Sequence, residues 1–177
     1  RVRTADGKEL AASGLREITV WNPATGELRR RIPDMAQRTY TLAWSSNGDI
    51  LTAGGGIPGE LGEARMFDAK TGDLKAVMHQ ASDVVLDVQY DVNGTLLAVA
   101  DADNLITVYH TDDLSTRLRI DNHSDWVMAV TFSPDIRFLA SASRDRSAKI
   151  FEMKTGDTIS TYGGHGVPVL GVAFRED

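Results

Sequence analysis

The chain has 177 residues, of which 42% are hydrophobic and 25% charged, and its formal net charge is −6. That balance suits a globular chain with a real core, and it disfavours non-specific binding to nucleic acid or to an anionic membrane, both of which need a basic surface. Zero cysteines exclude disulfides, thiolate zinc sites and cysteine-held iron–sulfur clusters, and no apolar run approaches the roughly 18 residues of a membrane span.

In chain order, Arg1–Lys8 has none of the features of a signal peptide. Lys8–Ser13 and Ile18–Trp21 read as short strands, with a turn at Thr25-Gly26. Arg29-Arg30-Arg31 falls on an outer strand and reads as a solvated edge that discourages sheet-to-sheet association. A run closing at Trp44 precedes the turn Asn47-Gly48. The glycine-rich stretch Gly54–Gly62 reads as a hairpin extension or a binding loop; it lacks the Gly-Lys-Ser/Thr ending and the helix of a phosphate-binding loop. Ala64–Phe67 follows, then Thr71-Gly72, an outer strand with His79, and a run closing at Tyr90 before Asn93-Gly94. Asp101-Ala102-Asp103-Asn104 hints at a calcium loop, but no glycine stands sixth and no glutamate twelfth, so it reads as a turn whose aspartate holds backbone N–H groups. Thr107–Tyr109 leads into Thr111-Asp112-Asp113-Leu114, where the expected turn glycine is missing. The last full copy is the clearest. Val127–Phe132 is an inner strand, Phe138–Ser143 a second strand of small residues, Lys149–Phe151 a third and Thr158–Tyr162 an outer one.

Two aromatic series give the organisation. Trp21, Phe67, Tyr109 and Phe151 are spaced by 46, 42 and 42 residues, and Trp44, Tyr90, Phe132 and Phe174 by the same steps. A shared period of this length means a copied unit of propeller-blade type. The expected fold is all-β, with repeats near 1–42, 43–88, 89–130 and 131–172, and 169–177 left over as a spare inner strand.

The stretch His123-Ser124-Asp125-Trp126-Val127 through Ser133-Pro134-Asp135, then Leu139–Asp145 and Lys149-Ile150-Phe151-Glu152, resembles a blade of the WD-repeat β-propeller family. Gly164-His165 repeats the opening of the pattern. The resemblance implies about four four-stranded blades and a buried polar tetrad made by His123, a serine (Ser141 or Ser143), Asp145 and the aromatic Phe151, which stands where the family has tryptophan and has no N–H to donate. Asp103 matches Asp145 one period earlier, while Ala81 stands where a histidine would. Apolar packing between neighbouring sheets should therefore carry most of the stability. Arg1 and Arg3 fall at positions that should be buried, so the first blade is expected to lack its own inner strand, and Val169–Phe174 to supply it. Three arrangements fit: a part of a longer propeller, a closed four-bladed ring, or a homodimer closing an eight-bladed ring by strand exchange. The wedge shape implied by the resemblance favours the first and third.

No nucleophile elbow, zinc-binding HExxH or organised acid pair is legible, so neither catalytic residues, nor a metal, nor a cofactor is expected. In such a blade, one end of the array collects Arg38, Val84, Trp126 and Pro168, at equivalent positions, together with Arg144 and Arg146. Trp126, Arg144, Arg146 and Arg38 are the candidate contacts for a protein or peptide partner. The plain alternative is that Trp126 packs between blades and the arginines are only solvated. An enzyme of hydrolase or lyase type with a site in the channel mouth is the competing functional class.

Overall fold

In the computed structural model the described residues are 2–3, 7–33, 35 and 38–175. They form four antiparallel sheets, each built from four consecutive strands in meander order. The first holds β1 (Val2–Arg3), β2 (Leu10–Ser13), β3 (Ile18–Trp21) and β4 (Leu28–Ile32); the second β5 (Arg38–Trp44), β6 (Ile50–Ile57), β7 (Leu61–Asp68) and β8 (Leu74–Ala81). The third holds β9 (Val85–Tyr90), β10 (Leu96–Asp101), β11 (Ile106–His110) and β12 (Thr116–Ile120); the fourth β13 (Val127–Phe132), β14 (Phe138–Ser143), β15 (Ala148–Glu152) and β16 (Thr158–Tyr162). Arg1–Val85 and Leu86–Asp177 are two compact units with two sheets each. The sheets are out of phase with the sequence repeats by about one strand, because aromatic landmarks fix a period but not where a unit begins.

Each unit has its own core. In the N-terminal unit, Ile18, Val20 and Ile32 of the first sheet meet Leu42, Trp44, Leu51 and Phe67 of the second. In the C-terminal unit, Ala98, Ile106 and Val108 meet Val130, Phe132, Leu139 and Phe151. Period-two alternation selects these residues: in β3, Ile18 and Val20 are buried while Thr19 and Trp21 are half-buried on the other face. Trp21 uses its position differently from Phe67 and Phe151, its Nε1–H donating to Thr19 Oγ1 at 2.9 Å.

The glycine-rich stretch is a hairpin extension. β6 and β7 pair without interruption from Ile50↔Asp68 to Ile57↔Leu61, around the turn Pro58-Gly59-Glu60. Three of its glycines allow backbones to touch: a Cβ at Gly55 would overlap the Arg38 carbonyl oxygen, one at Gly56 the Leu61 carbonyl oxygen, and one at Gly62 the Asp83 carbonyl oxygen. The missing turn glycine of the third repeat changes nothing in the backbone. Leu114 has φ 60°, the conformation that Gly26, Gly72 and Gly156 adopt at the equivalent turns, so a leucine accepts the left-handed cost that glycine avoids.

Three expectations are corrected. Arg29, Arg30 and Arg31 are not merely solvated: Arg29 and Arg30 hold Glu9 at 3.1 and 2.6 Å, and Arg31 holds Glu17 at 2.8 Å. The first sheet has an inner strand, β1, which pairs Val2↔Ala11 and Arg3↔Leu10. Residues 169–175 are not in a strand; a ladder needs a partner along its length, whereas this segment is tied at its start, from Val169 N to Ser143 O at 3.0 Å.

Gly62→Ala should lower the stability of the N-terminal unit by about 1–3 kcal/mol, the usual range for overpacking a close contact. Urea denaturation reads this directly, and a loss below about 0.5 kcal/mol would show that the backbone of β7 moves away from Asp83 at little cost.

Candidate functional site

The chemistry of the fourth sheet begins at the β14–β15 turn. Asp145 accepts the Ser147 N–H and hydroxyl through Oδ1 at 2.9 and 2.6 Å, and its Oδ2 accepts from the Ser124 N–H at 3.2 Å. His123, in the segment before β13, places Nδ1 2.7 Å from Asp145 Oδ2 and Nε2 2.6 Å from Ser141 Oγ. The Phe151 ring closes the group, edge-on to the imidazole with centroids 6.2 Å apart and planes at 81°. His123, Ser141, Asp145 and Phe151 are thus one cluster. Ser143 stands outside it. The Ser143 hydroxyl donates to Asp125 O at 2.9 Å and accepts the Asp145 N–H at 3.0 Å, tying the turn to the segment before β13.

Protonation follows from these contacts. Burial pulls the Asp145 carboxyl upward, but hydrogen bonds from Ser147, His123 and Ser124 outweigh it and hold the group far below the usual carboxylate range. Burial depresses His123 below its ordinary value, with Asp145 opposing. The imidazole is therefore neutral at pH 7, with Nδ1–H donating to the carboxylate and Nε2 accepting from Ser141, a tautomer assigned from the network.

Serine, histidine and aspartate in this order are the connectivity of a hydrolase triad. Access decides against that reading: Ser141 is 0% exposed and the His123 side chain 1%. A nucleophile must come within contact distance of a substrate carbonyl, and here it is covered. The cluster pins the segment before β13 to the end of β14 and to the β14–β15 turn.

On the outside of that pinned corner lies Trp126, half-buried. The Arg144 guanidinium sits over its indole at 4.7 Å from the centroid, and Arg144 Nε is 3.6 Å from Asp125 Oδ2. The Arg144 N–H donates to Trp126 O at 2.9 Å, so backbone and side chains are coupled. Arg146 is in the same turn, with φ 70°, and its N–H donates to Ser143 O at 3.2 Å. Arg38 opens β5 in the N-terminal unit, exposed and bridged to Leu15. The structure therefore brings Trp126 against Arg144, with Arg146 in the same turn, while Arg38 belongs to the other unit. Val169 bonds to Ser143, and beside it Val167 and Leu170 are each 69% exposed.

Sequence reasoning missed Ser147 and Asp125. An Asp-x-Ser turn signal at Asp145–Ser147 points to the first; the second needs the fold. In the third sheet, Asp101 is the buried turn carboxylate, accepting from Asp103 N and Leu105 N at 2.9 and 3.0 Å. The aspartate turn expected there is present, with Asp101 in the holding role that Asp145 fills in the fourth sheet. Among the described residues no group of three or more His, Asp or Glu side chains is placed to hold a metal.

Repeated four-stranded antiparallel sheets, with a His–Asp–Ser corner in the fourth, define a blade-type repeat protein. The family model described as "WD domain, G-beta repeat" matches residues 115–152, the segment that holds the corner. The chain is 29% identical to the WD repeat-containing protein SL1-17 of Schistosoma mansoni over 79% of its length, and 24% identical over 97% to a WD repeat-containing protein of Schizosaccharomyces pombe. It is 32% identical over 57% to the nuclear distribution protein nudF 1 of Talaromyces marneffei. It spans 45% of the length of each of the first two relatives and 23% of the third. Residues 115–152 thus match a WD repeat, and the first two relatives that the chain resembles are WD repeat-containing proteins.

The acid response of the cluster has a definite sign. Both His123 and Asp145 have lowered folded-state pKa values, so the unfolded chain binds more protons and stability rises with pH. The His123 contribution is complete above its unfolded value near 6.5 and is lost as pH falls from there through the lower folded value. Urea midpoints measured between pH 8 and 5 should fall with acidity, and His123→Asn should flatten the segment just below pH 6.5. Ser141→Ala, which leaves Nε2 buried without a donor, should cost about 1–3 kcal/mol at pH 7.5.

Proposed function

We propose that the chain is a non-catalytic interaction module that holds a protein or peptide partner on the surface around Trp126 and Arg144. WD-repeat proteins are generally protein-interaction scaffolds, and the relatives matched here are mostly non-catalytic. The observation that carries the more specific reading is the Trp126–Arg144 stack, built on a corner whose polar groups are fixed from below.

Tryptophan and arginine are the residues most enriched among interface hot spots. Stacking orders the long arginine side chain before a partner arrives, which reduces the rotamer entropy lost on binding. Asp125, at 3.6 Å from Nε, engages one edge of the guanidinium and leaves the fork for a partner carbonyl or carboxylate. The exposed Val167 and Leu170 extend the surface with apolar area. Arg146 belongs to the rim of this site. Arg38 supports a second contact on the N-terminal unit. The reading needs no exchange of strands between two copies.

A peptide-display selection on the purified chain, followed by affinity measurement of the selected peptides on variants, tests the proposal. Trp126→Ala and Arg144→Ala should each weaken the selected peptides about 30-fold or more, the scale of a 2 kcal/mol hot spot, with little change in stability. If Trp126→Ala instead destabilises the chain by about 3 kcal/mol or more, as core aromatics do, Trp126 is a packing residue and the surface lies elsewhere.

A further inference from the structure

We infer that the N-terminal unit carries a second binding site, a cleft that takes a phosphomonoester group on a protein partner. The cleft, of about 440 Å³, lies where the start of β2 and strand β4 face the β5–β6 and β7–β8 turns. Its volume is within the range of small-ligand sites. Lys8, Arg29, Arg30 and Lys70 line it together with Glu9 and Asp49, so four cations face two carboxylates in a chain whose net charge is −6. Charge of this sign gathered against the trend of the whole molecule is the first half of the case.

The second half is the state of the two carboxylates. Both Glu9 oxygens are held by Arg30, at 3.0 and 2.6 Å, and Arg29 adds a third bond at 3.1 Å. The Arg30 hydrogen bonds, with burial opposing, hold the Glu9 carboxyl below its ordinary range, so it is ionised at neutral pH and fixes the two guanidinium groups in place. Asp49 Oδ2 accepts from Asn47 Nδ2 at 3.0 Å. Glu9 is thus an internal counter-ion that positions the arginines, and the charged side chains lining the cleft sum to a formal charge of +2. A phosphomonoester carries about −1.5 to −2 at pH 7 and offers three acceptor oxygens. A single carboxylate only exchanges for Glu9 at equal charge. A phosphate instead takes the outer N–H groups of Arg29, whose side chain is 40% exposed, and the Lys70 ammonium, while Arg30 stays on Glu9. The site is independent of the Trp126 surface and stands or falls apart from it.

Titration of the ¹⁵N-labelled chain with the tripeptide Gly-phosphoserine-Gly, with Gly-Ser-Gly, with inorganic phosphate and with phosphatidylinositol-phosphate vesicles separates the sources. The phosphopeptide should shift the amide signals of Asn47, Gly48 and Lys70 saturably, inorganic phosphate the same signals more weakly, and Gly-Ser-Gly none. The double variant Arg29→Ala, Lys70→Ala, which removes two exposed side chains, should weaken the phosphopeptide about tenfold or more, the scale of one charge-assisted hydrogen bond, while Trp126→Ala leaves its affinity unchanged. Absence of saturable shifts, or undiminished binding by the double variant, overturns the site. Equal affinity for inorganic phosphate, or binding to the vesicles without binding to the peptide, overturns the protein partner.

Discussion

Four short strands make a sheet too small to bury either of its own faces, and this shapes the whole chain. Each sheet must find a second one, and in both units the meeting surface is supplied by the same strands. Second and third strands contribute Leu51 and Phe67 in one unit and Leu139 and Phe151 in the other. Fully burying side chains of this size contributes about 1.5–3 kcal/mol each, so the apolar layer outweighs any one hydrogen-bonded turn. The outer strands β12 and β16 are correspondingly polar and exposed. Turns are then free to vary in sequence, provided the backbone still reverses, which is why Leu114 stands where three other turns have glycine.

Given that apolar layer, the polar corner of the fourth sheet serves position more than bulk stability. A buried ionised carboxylate is costly unless its lone pairs are filled, and Asp145 fills them with donors from three places: its own turn, His123, and the backbone of Ser124. The same connectivity that activates a serine in a hydrolase here does the opposite. With substrate excluded, the Ser141 proton has nowhere to go, and the neutral imidazole is simply the bridge between a hydroxyl and a carboxylate. Chemistry follows from access as much as from geometry.

Periodicity made the fold legible, because a copied unit repeats its buried aromatics at fixed steps. The corner was legible in part. His123 and Asp145 are readable from the pattern, but the choice between Ser141 and Ser143 is not, since both lie on one face of β14 by period two and only the height of His123 decides. The Arg29–Arg31 run misled for a related reason: its counter-ions, Glu9 and Glu17, lie just before β2 and in the β2–β3 turn, and sequence adjacency conceals pairing across a sheet. Val169–Phe174 has the alternation of an inner strand, yet alternation describes one chain and a strand needs two.

The corner and the surface above it form one device. His123 and Asp125 precede β13, Ser141 and Ser143 lie at the end of β14, and Asp145 is in the next turn; hydrogen bonds join all five, directly or through main chain. Trp126 and Arg144 are the outward neighbours of these residues, linked by their own backbone bond at 2.9 Å. A pair of side chains on two separate loops would have to be ordered by its ligand. Here the ordering is done within the fold, and the arginine is stacked in one place. One repeat earlier, Ala81 stands in place of the histidine and Asp101 holds the turn through backbone N–H groups, so the same backbone forms without a histidine link between loops. The fourth sheet therefore differs from the third in how one corner is tied, and the Trp–Arg stack is found at that corner.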